Sequence, residues 1–278
     1  MTYKIIGDSC LDLTEELKKD PHFQMIPLTL QVGDTHIIDD ETFDQKQFLE
    51  LVKNSPECPK SACPSPDMFK EAYRCDAENI FVLTISEHLS GTYNSAVLGK
   101  QIYEEEYGPK NIMVFSSNTA SAGELNLALM IRDYCEAGME FEEIVTKVSE
   151  FCKEMRTCFV LETLDTLRKN GRLTGLQAFF ATTLNIKPVM GADNGTIIKL
   201  DQARGINKAL SKMCDYAVKD LADTKDRRLV IAHCNAPDRA EYVKQELMKR
   251  AEYKEIIITE TAGVATVYAN DGGIIVAL

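Results

Sequence analysis

Long apolar runs are missing from this chain of 278 residues, and no stretch approaches the ~18 uninterrupted apolar residues of a membrane-spanning helix. Positive charge is scarce as well. Lys and Arg number 31 against 43 Asp and Glu, a formal net charge of −12. A surface that acidic repels phosphate backbones and anionic headgroups, which argues against nucleic-acid binding and electrostatic membrane docking. The nine cysteines, at 10, 58, 63, 75, 135, 152, 158, 214 and 234, include no C-x-x-C pair. The four histidines are scattered at 22, 36, 88 and 233, so the paired ligands of a zinc site are lacking. An odd cysteine count, with no basic-then-apolar leader at the start, points to reduced, mostly buried thiols and a cytoplasmic protein.

What is present is the balance of a folded protein, with 45% hydrophobic and 27% charged residues in a length comfortable for two domains. Short β-branched runs alternate with longer helix-period stretches. In the first half the runs are Tyr3–Ile6, Met25–Leu30, Ile80–Ile85 and Ile112–Phe115. In the second half they are Cys158–Leu161, Ile186–Val189, Thr196–Leu200, Leu229–His233, Glu255–Thr259 and Ile274–Ala277. Several are apolar throughout, as strands are when helices cover both faces. Asp12-x-x-Glu15 and Ser121-x-x-Glu124 have capping-box spacing, and Ser65-Pro66 puts proline at a first helical position. Gly108 and Gly138 mark helix ends. The first half reads β-α-β-α-β-α-β-α; a helix follows over Glu142–Lys153, and beyond it the clustered strands give an α+β texture. The expected architecture is therefore α/β in two domains: a three-layer α/β/α domain with a mostly parallel sheet over 1–157, and an α+β domain over 158–278.

Ile85-Ser86-Glu87-His88-Leu89-Ser90-Gly91-Thr92-Tyr93 carries the most chemistry. It runs from an apolar strand into a helix, where open α/β sheets bind ligands and helix N-termini offer free N–H groups. Ser90 and Thr92 hydroxyls around Gly91 make an anion or carboxylate cradle, although plain helix capping uses the same residues. The turns at Asp8–Leu13, Ser61–Pro66 and Phe115–Ser121 have ordinary turn chemistry individually, and together they form a hydroxyl-rich rim. Arg168, Lys169 and Arg172 end a short helix at Asn170-Gly171, and Lys187, Lys199 and Arg204 follow. Basic residues complement a helix C-terminus, yet this local excess in an acidic chain also suits an anionic ligand or partner.

These motifs resemble, in order and over the whole chain, those of the DegV family, whose fatty-acid-binding members serve as the carrier subunit of a two-part fatty acid kinase. They are Asp8-Ser9 with Asp12-Leu13, the Ser61–Pro66 turn, Leu89-Ser90-Gly91-Thr92-Tyr93-x-Ser95-Ala96, Leu164-x-x-Leu167-x-Lys169-x-Gly171-Arg172, Lys187-Pro188 and the Arg204 region. The resemblance implies a long-chain fatty acid lying between two domains, with no other cofactor and no metal. Its carboxylate is then held by Ser61, Ser90, Gly91, Thr92 and Tyr268. Arg172 and Arg204 flank the headgroup mouth, where a separate kinase delivers phosphate to form the acyl phosphate. Burying about fifteen methylenes of a sixteen-carbon chain is worth roughly 12 kcal/mol gross at ~0.8 each, before immobilisation.

Two positions depart from the family pattern. Tyr268 stands where the family has a histidine of the carboxylate network, so that position can donate a hydrogen bond but cannot become cationic near neutral pH. Ser116-Ser117 stands where Asp-Ser is common. Two enzyme readings compete with the carrier. A serine hydrolase needs a base within reach of Ser90, and His88, two residues away, is badly placed to serve; there is also no G-x-S-x-G elbow. A phosphotransferase lacks a G-x-x-x-x-G-K-[ST] loop and an evident magnesium-binding carboxylate cluster. The expectation is a carrier that catalyses nothing itself.

Overall fold

A computed structural model describes residues 2–173, 185–221 and 223–278. Its strands form three sheets. Strands β1 (Tyr3–Asp8), β2 (Phe23–Ile26), β6 (Asn79–Thr84) and β7 (Asn111–Ser116) pair in the order β2-β1-β6-β7, all parallel. Strands β3 (Thr29–Val32), β4 (Thr35–Ile38) and β5 (Lys60–Ala62) form a small antiparallel sheet, β4-β3-β5. The third sheet joins β8 (Thr157–Val160), β9 (Ile186–Asp193), β10 (Thr196–Arg204), β11 (Arg228–His233), β12 (Glu255–Glu260) and β13 (Ile274–Ala277) in the order β10-β9-β8-β13-β11-β12. Only its β11–β12 pair is parallel.

Period-2 alternation explains why so many strands are apolar on both faces. In the parallel sheet, Ile5, Phe81 and Leu83 face one core, while Ile6, Ile80 and Val82 face a second that includes helix α2 (Pro66–Tyr73) and helix α3 (Thr92–Tyr107). In the six-stranded sheet, Phe159, Leu161, Val230, Ala232 and Ile275 point toward the first core. Their neighbours Cys158, Val160, Leu229, Ile231 and Ile274 pack on helices α7 (Ile206–Val218) and α8 (Pro237–Met248). Helix α4 (Ala122–Glu136) touches β1 and β6 on one side and β11 and β13 on the other, so it is the shared middle layer. That position explains its composition. Leu125 and Leu129 lie on one face, Leu127 and Ile131 on the opposite one, and all four are buried, as in a helix covered on both sides. Its Asn126 amide, also buried, donates to the Arg228 carbonyl at 3.0 Å and ties the layer to β11.

Most expected elements are present, with Pro66 at the first position of α2 after Ser65, whose side chain makes no capping bond, and Gly108 (φ +89) and Gly138 (φ +75) just beyond α3 and α4. Helices α1 (Gln45–Asn54) and α5 (Phe141–Glu154) complete the first half, and no helix among the described residues is long and apolar enough to cross a membrane. Several expectations fail. Ser121-x-x-Glu124 is no capping box: Ser121 precedes α4 at φ 57 without a side-chain cap, its hydroxyl donates to Asp12, and neither Glu124 oxygen has a hydrogen-bond partner. The run Met25–Leu30 is not one strand: it breaks at Pro27, which has no N–H to continue a ladder, and its halves enter different sheets. Asp12-x-x-Glu15 caps no α-helix. Asp12 adopts a left-handed conformation (φ 48, ψ 48), and only a three-residue 3-10 turn, Leu17–Lys19, follows. Its carboxylate is committed elsewhere, accepting from the Ala262 amide at 2.6 Å and the Ser121 hydroxyl at 2.5 Å. The regular β-α alternation is likewise interrupted by β3, β4 and β5, which the sequence reading does not anticipate.

Candidate functional site

The C-terminal ends of β1, β6 and β7 face the inner side of the six-stranded sheet, and a cavity of about 120 Å³ opens there, within about 870 Å³ of atom-free space once its mouth is counted. Its walls are built by alternation. Thr157 and Phe159 project from one face of β8, with Leu161 just past its end, Ile275 beside Phe159 on β13 and Ile197 on β10. Opposite stand Cys10, Leu28, Ile85 and Leu89, and Val264 and Ala265 of helix α9 (Gly263–Ala269). Apart from several hydroxyls, the Asn118 amide and the Arg172 guanidinium, the lining is hydrocarbon.

One edge is polar. Ser61, Ser90, Arg172 and Tyr268 all line the cavity and all are partly exposed. They come from four places. Ser61 sits on β5, opposite Leu30 of β3. Ser90 ends the turn after β6, whose Leu89 and Ser90 amides both donate to the Ser86 carbonyl. Tyr268 lies on α9, and Arg172 follows helix α6 (Asp165–Lys169) after Gly171 at φ +76. Ser61 Oγ and the Tyr268 hydroxyl are 3.0 Å apart, and Ser90 Oγ and Thr92 Oγ1 are 2.8 Å apart. Each hydroxyl pair uses one hydrogen internally and keeps one O–H to donate outward. The Arg172 guanidinium carbon is 5.6 Å from the centre of the Tyr268 ring, and its Nε donates to the Leu89 carbonyl at 3.1 Å. The result is two hydroxyl donors and one fixed positive charge at the end of an apolar cavity.

The remaining expected site residues lie elsewhere. Thr92 is fully buried behind Ser90, which it orients, and Gly91 is exposed at the start of α3; neither lines the cavity. A Cβ at Gly91 meets only Cys63 Sγ, at 3.3 Å. Arg204 is exposed at the end of β10, apart from the lining residues. Nor does the basic stretch form one patch. Lys187 pairs with Glu162, which also holds Arg239 at 2.6 Å, and Arg168 pairs with Asp165 at 3.2 Å. Of the basic residues singled out from the sequence, only Arg172 faces the cavity. His88 is exposed, and His233 is buried on β11, where desolvation keeps its pKa below the usual value. Neither imidazole lines the cavity, so among the described residues no histidine shares it with Ser90.

Beneath the polar edge lies a group of buried acids that sequence reading singled out only in part. Asp8, Cys10 and Glu124 bring one donor atom each within 4.8 Å of one another. The Asp8 carboxylate already accepts from the Cys10 amide at 2.9 Å and the Ile85 amide at 2.8 Å. Both Glu124 oxygens are buried without a hydrogen-bond partner. Desolvation pushes Asp8 up to about 7, Asp12 to about 8 and Asp39 to about 6. Glu124 is driven well above the carboxylate range by burial and then by the charges of Asp8 and Asp12. A raised carboxyl pKa makes stability greatest below the unfolded value of about 4.3, and stability is lost as pH rises toward the folded pKa. Glutamine mimics the protonated acid and does not titrate. Glu124→Gln is therefore expected to match the wild-type melting temperature near pH 4.5. Above pH 5 it should gain over wild type by up to about 1.4 kcal/mol per pH unit while the native acid stays protonated. Melting curves from pH 5 to 8 with a constant difference between the two proteins would show that Glu124 is ionised in the fold.

Comparison with known proteins finds relatives over the whole length of the chain. A family model described as "Uncharacterised protein, DegV family" matches residues 2–278. A DegV domain-containing protein of Streptococcus pneumoniae is 35% identical over 279 residues, spanning 99% of this chain and 98% of that protein. Among solved structures, the DegV-family protein of Ruminococcus gnavus ATCC 29149, refined with vaccenic acid, superposes with a TM-score of 0.98 at 50% identity over the full length of both chains. The Streptococcus pneumoniae Fatty Acid Kinase (Fak) B3 protein, loaded with linoleic acid, gives 0.89 at 34% identity over 100% of this chain and 99% of that one. A DegV-family protein of Eubacterium eligens loaded with heptadecanoic acid gives 0.89 at 26% identity, covering 99% of this chain and 98% of that one. With the family model spanning the chain almost end to end, this protein belongs to the DegV family.

Proposed function

We propose that this protein binds one long-chain fatty acid, with the acyl chain in the cavity between the two sheets and the carboxylate at Ser61, Ser90, Tyr268 and Arg172. The observation that carries the reading is the polar edge of an otherwise apolar cavity. Two outward O–H donors match the two oxygens of a carboxylate, and Arg172 supplies the counter-charge. Thr92 acts from behind by fixing the Ser90 rotamer. Support comes from relatives at 26–50% identity that hold vaccenic, linoleic or heptadecanoic acid.

The protein acts as a carrier and leaves chemistry to a partner. A serine hydrolase finds no support, because among the described residues no histidine lines the cavity with Ser90. The resemblance to a Fatty Acid Kinase B protein favours a kinase subunit that phosphorylates the bound carboxylate. Residues 1–157 and 158–278 serve as the two domains that enclose the lipid, in the cytoplasm. Arg204 is exposed and outside the cavity, so it belongs to the partner-facing surface. Arg204→Ala is expected to leave lipid loading unchanged and to slow acyl-phosphate formation with a fatty acid kinase catalytic subunit about tenfold, the loss of one charge contact. An unchanged rate removes Arg204 from that surface. The carrier reading itself is tested by mass spectrometry of an organic extract of the purified, denatured protein. A stoichiometric fatty acid is the expected result. An empty extract, and none after incubation with a panel of fatty acids, overturns the reading.

A further inference from the structure

From the geometry around helix α9 we infer that Asp12 and Asp39 are positioning residues, which hold the first turn of α9 by its backbone amides and thereby set where Tyr268 meets Ser61. The inference rests on the fatty-acid reading of the cavity.

Helix α9 begins at Gly263 without a side-chain cap of its own; the residue before it, Ala262, has no polar side chain to offer. Its first amides are satisfied from the other half of the chain. Asp39 accepts from the Gly263 and Val264 amides, both at 2.7 Å, one with each carboxylate oxygen. Asp12 accepts from the Ala262 amide at 2.6 Å, and its own carbonyl accepts from the Thr259 hydroxyl at 2.8 Å. Both acids are buried, at 1% and 2% exposure, so these bonds are shielded from competing water.

Close approach is built into the sequence at this point. A Cβ on Gly263 would stand 2.4 Å from Asp39 Oδ1 and 2.7 Å from Leu30 Cδ1, so only glycine lets the helix reach the carboxylate. Asp12, in turn, is held in the left-handed region, a conformation that aspartate tolerates better than most residues.

The consequence reaches the headgroup site through two rigid pieces. Asp39 directly follows β4, and Ser61 lies on β5; both strands flank β3 in the small sheet. Tyr268 lies five residues after Gly263 on α9, about 7.5 Å along the helix at 1.5 Å per residue. The small sheet and α9 therefore meet twice, at Asp39 with the helix start and at Ser61 with the Tyr268 hydroxyl, 3.0 Å apart. Loosening the first contact shifts the second. Asn at position 39 presents an NH₂ to one of the two amides, where the carboxylate accepted both.

The test compares oleic acid with its methyl ester, which keeps the chain and removes the charge, in wild type, Asp39→Asn, Tyr268→Phe and the double variant. The expected result is that Asp39→Asn weakens oleic acid about tenfold, in the range of one disturbed charge-assisted hydrogen bond, and changes methyl oleate less than about twofold. In the Tyr268→Phe background, Asp39→Asn should cost less than about twofold more, because its effect passes through that hydroxyl. Equal losses for acid and ester, or full additivity with Tyr268→Phe, overturn the positioning role while wild-type binding stands. Wild type that binds neither ligand overturns the fatty-acid reading and this inference with it. If Asp39→Asn fails to fold, Asp12→Ala, which removes the acceptor of the Ala262 amide and so weakens the same helix start from its other side, is put through the same comparison with the same criteria.

Discussion

Ala192→Phe is expected to cost at least a hundredfold in affinity for sixteen- and eighteen-carbon acids and to leave the purified protein without its stoichiometric lipid. Ala192 lines the cavity from β9, and the ladder that pairs Gly191 with Cys158 brings Ala192 alongside Thr157, the first residue of the β8 wall. A phenyl ring there occupies room that several methylenes would fill. Losing the burial of about four, at ~0.8 kcal/mol each, removes roughly 3 kcal/mol, a factor beyond a hundred. Because the side chain enters space rather than packed core, the fold should survive. Titration with acids of graded length then shows preference moved toward chains several carbons shorter. An extract and a length preference like those of wild type would place the acyl chain somewhere else.

Ser90→Ala is expected to weaken long-chain acids by about tenfold to a hundredfold while leaving methyl esters nearly unaffected. A charge-assisted hydrogen bond is worth on the order of 1.5–3 kcal/mol, and this serine provides one of the two outward O–H donors. The substitution also strips buried Thr92 of its 2.8 Å partner, which places the effect toward the upper end. Competition binding of palmitic acid against a fluorescent fatty acid gives the number directly. An unchanged dissociation constant for the acid removes Ser90 from the carboxylate site and leaves Ser61 with Tyr268 as the candidate.

Both predictions combine what local sequence shows with what it cannot. Ser90 was legible because a strand-to-helix turn bearing hydroxyls has a mechanism that reads within a dozen residues. Ala192 was not, because an alanine in a strand has no signature until a register sets it against a cavity. Arg172 stood out in a basic stretch, but so did Lys187, and only the fold shows that Glu162 neutralises one while the other meets Tyr268. The spacing Asp12-x-x-Glu15 predicts a helix cap for its own segment; Asp12 bonds to the start of helix α9 instead, 250 residues on. Sequence spacing proposes a local partner, and burial awards the carboxylate to whichever amides arrive.

By itself the sequence determined the alternation of apolar strands and helices, the strand-end turns that carry hydroxyls, and the ordered motifs of a DegV protein. These depend on period, turn chemistry and residue type, all of which act over short separations. Only the tertiary structure decided that Pro27 splits one apolar run between two sheets, that α4 is shared by both large sheets, and that Ser61 meets Tyr268 across 207 residues. Contacts of that separation are set by how buried faces pack and by which polar groups are left to satisfy one another, and no window of sequence contains either.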